Sequence, residues 1–175
     1  MSPVPVWTGA YLAAALLLVA AGLAKVRRPA DTSIALRRAG LPVSEWAVRA
    51  GAGAEVAAGC WAFTSGRAAA GLLALSYLGF AGFVALALRR GSPVSSCGCF
   101  GKADSPPTVS HVVLNLAAAV TAAWGAFHAH PDAVSLVRHQ PLAGVPLVLL
   151  MGAAAYLAYL IVAVMPKTLA AGSAP

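Results

Sequence analysis

The residues best able to do chemistry here are two cysteines in the run Cys97-Gly98-Cys99-Phe100-Gly101. In a fully extended chain, residues two apart have Cα atoms about 6.6–7 Å apart, at the edge of disulfide reach. A bend at Gly98 shortens that distance, because glycine accepts backbone angles that other residues resist. Gly98, Phe100 and Gly101 set the geometry of this loop. A Cys97–Cys99 disulfide would be strained, and strained disulfides are the easily reduced, exchange-active kind. The pair therefore reads as a redox couple, in which one thiolate attacks a partner's disulfide and the other resolves the mixed disulfide. Arg89, Arg90 and Lys102 would favour the thiolate. Two other readings stay open. The cysteines are small residues in a turn, or they are ligands for Cu(I) or Zn(II), which thiolates select. A closed zinc site wants four ligands, and only His111 lies nearby in sequence.

A second group of residues is polar where the chain is otherwise apolar. A carboxylate inside a membrane span is expensive and marks a functional site by default. Glu55 is such a residue, flanked at four-residue spacing by Gly51 and Gly59. Small residues on one helix face let another helix approach closely. Lys25, at the exit of the first span, is a cation able to pair with Glu55. Asn115 repeats the pattern, with His111, Ala118, Ala119, Ala122 and Gly125 near the same face. By helix rise, Glu55 lies about 14 Å and Asn115 about 9–10 Å from the cysteine-loop side. The expectation is one polar cluster of Glu55, Asn115, Lys25 and His111 beneath Cys97 and Cys99. It would serve as a clamp between helices, or handle substrate or protons. Cys60 lies about 20 Å along the second span, too deep to resolve the loop pair, and is expected to pack in the bundle. His128, His130 and His139 fall in or beside the loop on the opposite side, where they read as a solvated polar segment and not as metal ligands.

The elements that must position these residues are membrane helices. The chain has 175 residues, 60% hydrophobic and 10% charged, against about 25% charged in a soluble domain. Mean hydropathy is +0.81. This excludes a soluble enzyme and a disordered tail. The net charge of +7 does not point to nucleic acid, because the basic residues form short clusters between apolar runs with no aromatic platform beside them. That distribution suits loops against anionic lipid. Residues 1–24, 68–88, 105–131 and 139–166 carry no charged residue, and 50–66 carry only Glu55. At about 20 apolar residues per span, five spans are expected, near 5–25, 46–64, 69–88, 109–128 and 146–165. The first reads as an anchor and not a signal peptide, since no basic segment precedes it. Residues 1–167 form one all-α integral-membrane domain, a four-helix core plus one, and 168–175 a short tail.

Between the first two spans, residues 30–43 read as an interfacial helix. Asp31, Thr32 and Ser33 are its candidate caps, Gly40 and Pro42 end it, and Leu36 dips toward lipid. Ser44 is the candidate cap of the second span, and Thr108 or Ser110 that of the fourth. Ten of the twelve Lys and Arg residues fall on the side bearing Cys97 and Cys99, with Arg67 and Arg138 on the other. The positive-inside rule then puts the N-terminus outside and the C-terminus inside. Disulfide-forming chemistry belongs outside, because the cytosol keeps thiols reduced. The sequence leaves both sides open for the cysteine pair.

The residues assembled above resemble a known family. They are Ala21-Gly22-Leu23-Ala24-Lys25 at the exit of the first span, Glu55 before Gly59, Ser96-Cys97-Gly98-Cys99-Phe100-Gly101, and Asn115-Leu116. Over most of residues 5–128 this pattern is similar to that of the methylamine utilisation protein MauE family, grouped with DoxX-like redox-associated membrane proteins. The resemblance implies a polytopic helical bundle in the bacterial cytoplasmic membrane that supports thiol–disulfide chemistry. It implies a role in methylamine metabolism, the maturation of methylamine dehydrogenase with its disulfide-rich small subunit. It implies a thioredoxin-like partner and, from DoxX-like relatives, a membrane quinone. Alternatives are a non-catalytic assembly factor and a Cu(I)-handling protein. The bundle is also similar to that of vitamin K epoxide reductase, but Cys-x-Cys stands here in place of Cys-x-x-Cys.

Overall fold

A computed structural model describes residues 7–64, 66–89, 107–128, 133 and 141–161, and every element among them is a helix. In chain order these are α1 (Trp7–Arg27), α2 (Pro29–Arg38), α3 (Glu45–Trp61), α4 (Arg67–Arg89), α5 (Val109–Phe127) and α6 (Pro141–Tyr159). Three of them, α1, α4 and α5, are long and apolar enough to cross a bilayer. The apolar part of α6, Gly144–Tyr159, is shorter. With 17 residues, α3 extends about 26 Å, short of the roughly 30 Å hydrocarbon core. It also carries Arg49 and Glu55. The expected five elements are present as helices, and among the described residues three of them have the length and composition of a full span. The last helix begins at Pro141, ahead of the expected start, and runs through Pro146.

The interfacial helix forms, with different ends. Pro29 occupies its first turn, and the N-cap Arg28 makes no capping hydrogen bond with its side chain. A proline at the first helical position presets the backbone angle and has no amide to leave unsatisfied. The helix therefore starts before Asp31, Thr32 and Ser33, none of which caps it. Ser33 instead donates to the Ala30 carbonyl and accepts from Arg37. At the far end Gly40 has φ 83°. Its amide bonds to Arg37 and the Leu41 amide to Leu36, so the chain turns out of the helix through a left-handed glycine. Ser44 caps α3 as expected, accepting from the Ala47 amide at 3.2 Å.

Packing is organised around α1, which touches α2, α3, α5 and α6, while α4 packs on α5 and α3. The core is rich in alanine, with Tyr11, Leu12, Leu18, Leu73 and Tyr77 as its larger members. Small side chains let helix axes come close where lipid supplies no hydrophobic drive. Two glycines define the α1–α3 contact. A Cβ on Gly22 would lie 2.8 Å from the Ala52 carbonyl oxygen, and one on Gly59 2.6 Å from Val19 Cγ2 and 3.0 Å from the Ala15 oxygen. Gly51 has open space around it, because Ala52, about 100° round the helix, is the buried residue facing α1. One polar tie joins α4 to α1. The Tyr77 hydroxyl donates to the Ala14 carbonyl at 2.6 Å.

Candidate functional site

Gly22 sits one turn before Lys25, and its contact with Ala52 and Val56 brackets Glu55. This close approach brings the end of α1 onto the middle of α3. Lys25 Nζ lies 2.6 Å from Glu55 Oε2, and the two side chains are only 6% and 17% exposed. The same ammonium stands 4.2 Å from the centroid of the Phe80 ring on α4. A cation over an aromatic face is attracted by the ring quadrupole. Lys25 thus joins three helices. A cavity of about 340 Å³ opens beside the pair, bounded among others by Leu36, Gly51 and Phe83. Leu36 lines this cavity.

His111 and Asn115 lie elsewhere. They line a second cavity of about 270 Å³ between α1, α4, α5 and α6. Phe80 borders both cavities. The four polar residues expected in one cluster are split into two pairs, Lys25 with Glu55 and His111 with Asn115, with Phe80 as the common wall.

His111 is 1% exposed, and its ring is oriented by the start of α5. The Thr108 amide donates to His111 Nδ1 at 3.2 Å, and Thr108 Oγ1 lies 2.7 Å from the same nitrogen. Thr108 is the N-cap and His111 the third helical residue, the positions of a capping box. Nδ1 accepts from an amide, so the hydrogen of the neutral ring belongs on Nε2. Nε2 is buried and has no hydrogen-bond partner among the described residues. Two other polar side chains on the cavity wall are already engaged, Tyr77 with Ala14 and Thr121 with the Ala117 carbonyl.

Cys97, Gly98, Cys99, Phe100, Gly101 and Lys102 lie outside the described residues. The chain bearing them leaves α4 after Arg89 and re-enters at α5, the end that holds His111. Cys60 is a free, exposed thiol. It is not packed in the bundle, because neighbouring Gly59 takes the position facing α1. His128 is at the other end of α5, stacked on Trp124 at 4.1 Å, while His130 and His139 lie outside the described residues. Sequence reasoning missed Phe80, an aromatic among many apolar residues with no distinguishing spacing. It named Gly22 only within the Ala21–Lys25 run and missed its close contact with Ala52 and Val56.

The sequence model of the methylamine utilisation protein MauE family matches residues 2–128. The chain belongs to the MauE family. It is accordingly a multi-pass membrane protein of a family linked to methylamine utilisation. The matched region takes in α1 to α5 and the Cys97-Gly98-Cys99 loop, and leaves α6 beyond it. Curated proteins and solved structures yield no match. In this MauE-family chain the conspicuous ionic feature is the buried Lys25–Glu55 pair, and a separate cavity is lined by His111 and Asn115.

Proposed function

We propose that this protein supports thiol–disulfide exchange in the bacterial cytoplasmic membrane through Cys97 and Cys99, in the maturation of a disulfide-bearing client such as methylamine dehydrogenase. One thiolate attacks a disulfide of a thioredoxin-like partner, and the second displaces the mixed disulfide. The partner leaves as a dithiol, having gained two electrons and two protons, and Cys97–Cys99 is left as the disulfide. Running the exchange backwards oxidises the partner. Two electrons pass between the pair and a membrane quinone in the complementary half-reaction. Lys25 and Glu55 hold α1, α3 and α4 together near the loop end of the bundle. The excess of cations on the cysteine side favours its facing the cytoplasm.

The observation that supports this reading is the family match over residues 2–128, a range that includes Cys97 and Cys99. The test is thiol trapping in a Cys60→Ala background before and after reductant, with a permeant maleimide to read redox state and an impermeant one on intact cells to read sidedness. The expected result is that the permeant label alkylates Cys97 and Cys99 in proportion to the redox poise, and that the impermeant label leaves them unmodified until the membrane is opened. Thiols that stay free at every poise refute the exchange. Full client maturation by a Cys97→Ser, Cys99→Ser variant assigns the protein to non-catalytic assembly instead.

A further inference from the structure

We infer that the cavity between α1, α4, α5 and α6 binds a lipid-soluble molecule that presents a carbonyl oxygen to His111 Nε2. A quinone occupant rests on the quinone half-reaction proposed above, whereas a lipid occupant is independent of it. Eight of the cavity's sixteen lining residues are alanines, so the space comes from small side chains on four helices. At about 270 Å³ it approaches the smaller ligand pockets, which begin near roughly 300 Å³. Such sites combine apolar walls with a few placed polar groups, and this one has that composition.

The polar groups select the ligand. Leaving a buried donor unsatisfied is costly. His111 carries one, because Thr108 holds Nδ1 as an acceptor and leaves the hydrogen on Nε2. Asn115, one helical turn further along α5, lines the same wall and offers both a donor and an acceptor. Tyr77 and Thr121 have already committed their hydroxyl hydrogens to carbonyls. Among the described residues no charged side chain lines the cavity, so the described wall offers an ionic ligand no counter-charge. The complementary occupant is an apolar body with a neutral acceptor at the His111 end. Two sources share that chemistry, the ring carbonyl of a quinone and the ester carbonyl of a lipid.

The experiment is equilibrium binding to the full chain in detergent or nanodiscs. The probes are menadione for a ring carbonyl, methyl laurate for an ester carbonyl, and 2-methylnaphthalene as the carbonyl-free counterpart of menadione. The expected result is binding of at least one carbonyl probe, with 2-methylnaphthalene at least tenfold weaker than menadione if menadione is the ligand. Binding of menadione alone assigns the site to a quinone ring, and binding of methyl laurate identifies a lipid carbonyl. Ala118→Leu, which fills the wall and leaves His111 in place, should weaken binding at least tenfold. His111→Leu should do the same, with helicity checked by circular dichroism. A Cys97→Ser, Cys99→Ser variant should bind as the unaltered chain does, so loss of thiol exchange and loss of the cavity ligand are separate results. No binding of either carbonyl probe to the folded chain overturns the inference. So does 2-methylnaphthalene binding as tightly as a menadione that binds, or binding unchanged by Ala118→Leu.

Discussion

Removing one member of the Lys25–Glu55 pair should destabilise the protein far more than removing both. The pair is 2.6 Å long with side chains 6% and 17% exposed, so neither charge has water to fall back on. Breaking a buried pair by deleting one partner costs about 3–5 kcal/mol, because the remaining charge is stranded. Replacing both with apolar groups of similar volume is often near neutral. Lys25→Met loses in addition the contact with Phe80 at 4.2 Å, worth roughly 0.5–2 kcal/mol. For a chain of this size, roughly 2–4 °C of melting temperature corresponds to each kcal/mol. Lys25→Met and Glu55→Leu should therefore each lower the midpoint by roughly 6–20 °C. The double variant should lie above both single variants. Thermal unfolding in detergent, followed by circular dichroism or by loss of monodisperse protein, reads this directly. If the losses of the single variants simply add in the double variant, the two groups do not interact, and the pair is not what holds α1 to α3.

The α1–α3 contact gives a second contrast. Gly59→Ala places a Cβ 2.6 Å from Val19 and should cost about 1–3 kcal/mol by overpacking. Gly51→Ala meets open space and should be neutral or gain up to about 1 kcal/mol of helix propensity. The same melting assay compares them, and equal effects would contradict the described helix contact. Tyr77→Phe removes the 2.6 Å bond to Ala14 and should cost roughly 0.5–1.5 kcal/mol, with an unchanged midpoint counting against that tie.

Much of the fold was legible because a bilayer imposes a simple rule. Backbone polar groups in lipid must be satisfied within the segment, so long uncharged runs become helices. That rule located α1, α4 and α5 to within a few residues, and Ser44 and Thr108 announced their helices by chemistry that acts over three residues. It was weaker for the ends of α2, where Pro29 overrode the three polar residues after it, and for α3, whose Arg49 and Glu55 break the apolar run. Glu55 and Lys25 were legible as a candidate pair because a charge in a span needs a partner. His111 and Asn115 were legible as residues on one face of α5.

The order of residues by itself determined the membrane class, the helical elements, the MauE-family pattern and the presence of two neighbouring thiols. Those properties follow from local composition and spacing. Only the tertiary structure decided that Lys25 meets Glu55 over Phe80, that His111 and Asn115 belong to a separate cavity, and that Cys60 faces outward. Each depends on the rotation and axial offset of one helix against another. Gly22, Gly59 and the alanines of the core set these through contacts between residues distant in the chain, and spacing along a single helix carries no record of them.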